Sequence, residues 1–203
     1  MEKSNLRMKK LLQTALMAAL CFVSFTFIQI KIPLPGGDAS SIHIGNAFCV
    51  LASLLLGGWY GGLAGAIGMT FADILDPVYI VVAPKTFVLK LCIGLITGFV
   101  AHNIAKISES NDKKYICKWS IIASVCGLAF NVVFDPVVGY FYKQYILGQP
   151  QEAASILAKL SAATTFINAV VSVILVGILY NVLRPMLNKS GLLLPVKMKN
   201  TKA

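Results

Sequence analysis

Acidic residues are scarce in this sequence, with eight Asp and Glu in 203 positions against 18 Lys and Arg. Charged residues of both signs make up only 13%, about half of the roughly 25% usual for a soluble domain. A chain this poor in charge and 57% hydrophobic is excluded from intrinsic disorder. It also has too little polar surface to cover itself in water, which argues against a soluble enzyme. Cysteine offers no framework either. Cys21, Cys49, Cys92, Cys117 and Cys126 fall singly, with no CxxC and no histidine at zinc-ligand spacing. Neither a disulfide scaffold nor a metal site is expected, and in apolar runs such cysteines act as small hydrophobes. Walker, HExxH and GxSxG motifs are missing, so the sequence carries no ATP engine of its own. No cofactor is expected. The net charge of +10 does not indicate a nucleic-acid partner, because the basic residues gather at the two ends and in one central run.

What the sequence has instead is apolar length, with a mean hydropathy of +0.77. The run over 11–30 follows Lys9 and Lys10 like a signal peptide. It is nevertheless about 20 residues long and lacks a small-residue cleavage site, so it reads as a retained first span. Five more spans follow at 42–58, 61–76, 86–104, 119–142 and 160–184. Pro33 and Pro35 with Gly36 and Gly37 stop the first, and GGWYGG over 57–62 turns the chain between the second and third. Lysine and arginine then set the orientation. Thirteen of the 18 lie at the termini and in the 105–118 connection, and four (Lys31, Lys85, Lys143 and Lys159) lie on the other side. The expected fold is an all-α membrane protein of six transmembrane helices with both termini cytoplasmic. The N-terminal segment is 1–10, the membrane domain 11–184 and the basic tail 185–203.

An ionisable residue deep in a spanning helix costs about 2.5–3.5 kcal/mol on insertion scales, so each one needs a reason. The candidates are His43, Asn46, Asp73, Lys90, Asn131, Asp135 and Asn168, on five helices. At about 1.5 Å per residue, His43 and Asn46 lie about 2 and 6 Å from the outer ends of their spans. Asp73 lies about 5 Å in, Lys90 about 6 Å, Asp135 about 10 Å, Asn168 about 12 Å and Asn131 about 16 Å. One reading is that these groups merely satisfy one another, with Lys90 paired to Asp73 or Asp135. The other is a shared, water-accessible pocket open to the outside, suited to a small polar heterocycle. His102 near the opposite end reads as an interfacial, solvated histidine. Trp59, Tyr60 and the cluster Tyr140, Phe141, Tyr142 and Tyr145 read as interface anchors. Small-residue pairs (Gly61 and Gly65, Ala64 and Gly68, Gly94 and Gly98) read as helix-packing ridges, while Ala15 and Ala19 form an AxxxA on which a partner helix fits.

A short basic N-terminus, TALMAAL (14–20), KIPLPGG (31–37) and IHIGNAFCVLASLLLGGWYGGLAGAIGMTFADIL (42–75) together resemble the S component of an energy-coupling factor (ECF) transporter, in the group related to the riboflavin S component. The resemblance covers roughly 9–183. It implies a non-enzymatic, vitamin-binding subunit of a bacterial plasma membrane, working with a transmembrane T component and two cytoplasmic ATPase subunits. It also implies that Ala15 and Ala19 contact the T component, and that substrate sits near the outer face under the loops after the first, third and fifth helices. The HIGNA start of the second span points to hydroxymethylpyrimidine or pyridoxine. Two other classes remain open. A self-sufficient secondary transporter or channel needs polar groups through the full membrane depth, and a membrane enzyme needs a catalytic pair at matched depth.

Overall fold

The computed structural model describes residues 2–34 and 37–196. Six helices carry the fold: α1 (Glu2–Phe27), α2 (Gly45–Leu56), α3 (Gly58–Leu75), α4 (Ala83–Phe99), α5 (Lys113–Phe141) and α6 (Gln151–Lys189). A two-stranded hairpin joins the first two, with β1 (Gln29–Pro33) antiparallel to β2 (Ala39–His43). Four segments among the described residues are long and apolar enough to cross a membrane: Ser4–Phe27, Ile80–Ile104, Lys113–Ile146 and Gln151–Lys189. They present large apolar side chains outward, including Phe99, Val133, Phe166 and Ile174, as lipid-facing helices do.

Two expected spans differ in form. The first helix ends at Phe27 and the second begins at Gly45, because β-branched and polar residues over 29–43 pair across a hairpin instead. Ile30 opposes Ile42, and the Leu34 amide donates to Asp38 O at 2.8 Å to close the turn. The second helix is therefore only 12 residues, rising about 18 Å against a hydrocarbon core of about 30 Å. Every residue of α2 except Phe48 is buried, so it stands inside the bundle rather than against lipid. The third helix has 18 residues.

Gly57 separates these two helices at φ +92°, a backbone region that L side chains avoid. Beyond it, α3 lies on α2 with almost no spacing. A Cβ at Gly61 would meet the Ser53 backbone at 2.2 Å, and one at Gly65 would meet Cys49 Sγ at 2.2 Å. The glycine ridges are thus internal seams, as expected. α5 is capped by Asp112, whose carboxylate accepts from the Lys114 amide at 2.9 Å. Both α4 and α5 end in a π turn, Val100–Ile104 and Tyr142–Ile146.

The end of the bundle opposite the hairpin holds an unexpected closure. Lys10 is 2% exposed; its Nζ donates to Val196 O at 3.0 Å and lies 5.5 Å over the Tyr60 ring. Gln13 Nε2 donates to Leu192 O at 2.8 Å. The segment after α6 therefore folds back over the start of α1. Of the expected basic tail, Lys197, Lys199 and Lys202 lie outside the described residues. His102 is not solvated but 3% exposed, with Nε2 3.1 Å from Ser53 O and Nδ1 3.1 Å from Ser108 Oγ. The π turn at 100–104 and the folded-back connection after it enclose the ring.

Candidate functional site

A cavity of about 110 Å3 opens at the hairpin end, between the hairpin, the turn after α3 and the α5–α6 connection. All seven residues expected at the outer depth line it. Asn46 comes from the first turn of α2, Asp73 from the last turn of α3, Lys90 from α4, Asn131 and Asp135 from α5, and Asn168 from α6. His43 ends β2.

These seven differ in how their polar atoms are used. Asn168 spends both ends of its amide on the hairpin, with Oδ1 accepting from the His43 amide at 3.0 Å and Nδ2 donating to Ser41 O at 2.8 Å. His43 Nδ1 accepts from the Gly45 amide at 3.2 Å, and the Phe25 ring packs edge-on to the imidazole at 4.5 Å. Both residues thereby hold β2 in place over the cavity. Asp135 is fully clothed: it accepts from Lys85 Nζ at 3.0 Å, Ser161 Oγ at 2.9 Å and Thr165 Oγ1 at 3.2 Å.

The pairing of Lys90 with Asp73 or Asp135, one of the two readings of the sequence, does not occur. Lys85 takes Asp135 instead. It was expected in an outer loop, but α4 starts at Ala83 with Pro84 in its first turn and carries Lys85 into the wall. Lys90 is 8% exposed, and its Nζ makes no hydrogen bond or ion pair among the described residues. Asp73 Oδ2, Asn46 Oδ1 and Asn131 Oδ1 are likewise buried without a partner. A cation and three acceptors from four helices thus face one small cavity unsatisfied. Buried polar groups in native proteins are nearly always paired, so these groups retain hydrogen-bonding capacity directed at the cavity.

Groups the sequence did not single out close the mouth. Lys143, on the π turn after α5, pairs with Asp38 at the hairpin tip, and Lys31 on β1 pairs with Asp76 after α3. The Lys31 ammonium also sits 5.3 Å over the buried Tyr79 ring, which with Phe25 forms an aromatic wall. One available signal was missed: Ser161, Thr164 and Thr165 fall at i, i+3 and i+4, which puts three hydroxyls on one helix face. Ala15 and Ala19 are exposed on α1, away from the seam that Ala18 makes with Gly68 of α3.

No curated protein sequence matches this chain. Among solved structures, ThiT from Listeria monocytogenes is similar in fold, with a TM-score of 0.63 over 93% of this chain and 99% of its own, at 21% sequence identity. The family model described as the ECF-type riboflavin transporter, S component, matches residues 5–185, and the chain belongs to that family.

Proposed function

We propose that this chain is the substrate-binding membrane subunit of an ECF-type transporter and takes a vitamin or vitamin precursor of the pyridoxine or hydroxymethylpyrimidine kind into the cavity at the hairpin end. It is a transport subunit, not an enzyme. The observation that carries the substrate class is the set of unsatisfied groups: one ammonium (Lys90), three oxygen acceptors (Asp73, Asn46 and Asn131) and the Tyr79 hydroxyl. A small heteroaromatic alcohol complements them, with amino or hydroxyl hydrogens for the acceptors and a ring nitrogen or oxygen for the ammonium. The ring lies against Phe25 and Tyr79. The volume of about 110 Å3 suits one six-membered ring, whereas a tricyclic flavin with its ribityl chain needs several times that room.

In this reading both termini face the cytoplasm of a bacterial cell, and the hairpin end faces outside. Family membership supports a T component and two ATPase subunits as partners. The exposed Ala15–Ala19 face of α1 is the proposed docking surface for the T component. Calorimetric titration of the detergent-solubilised protein with hydroxymethylpyrimidine, pyridoxine, thiamine and riboflavin tests the assignment. Saturable tight binding of either single-ring alcohol is the expected result; tight binding of riboflavin alone would overturn the substrate class.

A further inference from the structure

A second and larger cavity, about 750 Å3, lies between the start of α5 and the end of α6. Lys113, Lys114 and Lys118 line it from α5 and Arg184 from α6, and no carboxylate is among its lining residues. None of the four cations is in an ion pair among the described residues. The acid closest in sequence, Asp112, is occupied in capping α5. Arg184 is held in place by Ile107 O at 2.7 Å and Ser110 O at 3.4 Å and lies 6.0 Å over the ring of Tyr180, itself 2% exposed. A guanidinium has five N–H donors, so it keeps others free.

Depth separates this cavity from the substrate pocket. From Lys114 to Asn131 along α5 is about 25 Å, and from Arg184 back to Asn168 along α6 about 24 Å. Both helices thus place the basic cavity nearly one hydrocarbon thickness, about 30 Å, from the hairpin-end pocket. That is the level of the opposite headgroup layer. Immediately toward the bilayer centre the same two helices expose Ile121 and Val125, Ile174 and Ile178. Charge above and a bare apolar flank below fit an amphiphile better than a free ion.

We propose that this cavity binds a phosphate-bearing anion, and that its source is the headgroup of an anionic phospholipid whose acyl chains run down the α5–α6 flank. The four unpaired cations supply the charge, the exposed isoleucines and valine supply the apolar contact, and Arg184 fixes the cavity wall. Basic pockets between helices at this face are suited to such headgroups.

The test uses the full chain in detergent and short-chain phosphatidylglycerol, with phosphatidylcholine of equal chain length and inorganic pyrophosphate as the other two probes. Native mass spectrometry reads bound adducts across a titration. Phosphatidylglycerol is expected to bind saturably and phosphatidylcholine not to. The double variant Lys114→Gln and Lys118→Gln, two residues on one helix face with no structural bond to lose, should weaken phosphatidylglycerol about 30-fold, the loss two interfacial cations carry. Equal retention of both lipids, or undiminished binding by the double variant, overturns the proposal. If pyrophosphate binds and phosphatidylglycerol does not, the phosphate site stands and its lipid source is refuted.

Discussion

Replacing Lys90 with methionine separates a binding residue from a structural one. The stem of Lys90 is packed in α4, and methionine keeps most of that volume while removing the ammonium. In a buried ion pair such a change strands the partner carboxylate at a cost of about 3–5 kcal/mol. Lys90 has no such partner: Asp135 is held by Lys85, Ser161 and Thr165. The variant should therefore keep or slightly raise its thermal stability. Substrate is another matter. A hydrogen bond to a charged group is worth about 1.5–3 kcal/mol, or roughly 10- to 150-fold in Kd. Lys85→Met supplies the contrast, since it uncovers Asp135 and should lower the melting temperature even without ligand. Thermal-shift and calorimetric titration of both variants in one detergent read the two quantities separately. A Lys90→Met protein that melts well below the parent yet binds substrate normally would show that Lys90 is a scaffold group and would refute the pocket's chemistry.

Other outcomes follow from the same geometry. Asn46→Ala and Asn131→Ala each remove an unpartnered acceptor and should cost at least about tenfold in affinity with little change in stability. Asn168→Ala should instead loosen β2 and lower the melting temperature, because both its amide atoms are used on the hairpin backbone; calorimetry and thermal shift distinguish the cases. Bulky replacement at the exposed face, Ala15→Trp or Ala19→Trp, should block assembly with the T component in a pull-down while leaving substrate binding intact. Proteoliposomes holding this chain alone should bind but not accumulate substrate, and concentrative uptake there would sink the proposed function.

Much of this site was legible because polar residues are expensive in an apolar chain. Asp73, Lys90, Asn131, Asp135 and Asn168 stood out against their surroundings, and counting residues from the span ends put them all within about 16 Å of the outer face. What the count lacked was direction around each helix and the exact helix starts. α4 starts at Ala83 with Pro84 in its first turn and brings Lys85 into the wall, which in turn frees Lys90. The hairpin escaped notice because its strands are only five residues each, set inside what reads as a loop. His102 looked solvated because nothing local shows that the chain after it folds back and brings Ser108 to the ring.

The closure of Lys10 by Val196 has a consequence for the order of events during synthesis. The two residues are 186 positions apart, so the first helix enters the membrane with a lysine whose final partner has not yet been translated. Such distant pairings form slowly, and the ammonium stays hydrated until the last segment arrives. The first helix thus reaches its final seat only after the rest of the bundle exists, and ribosome-bound chains truncated at about residue 190 should leave Lys10 open to amine-reactive labelling that the released protein resists.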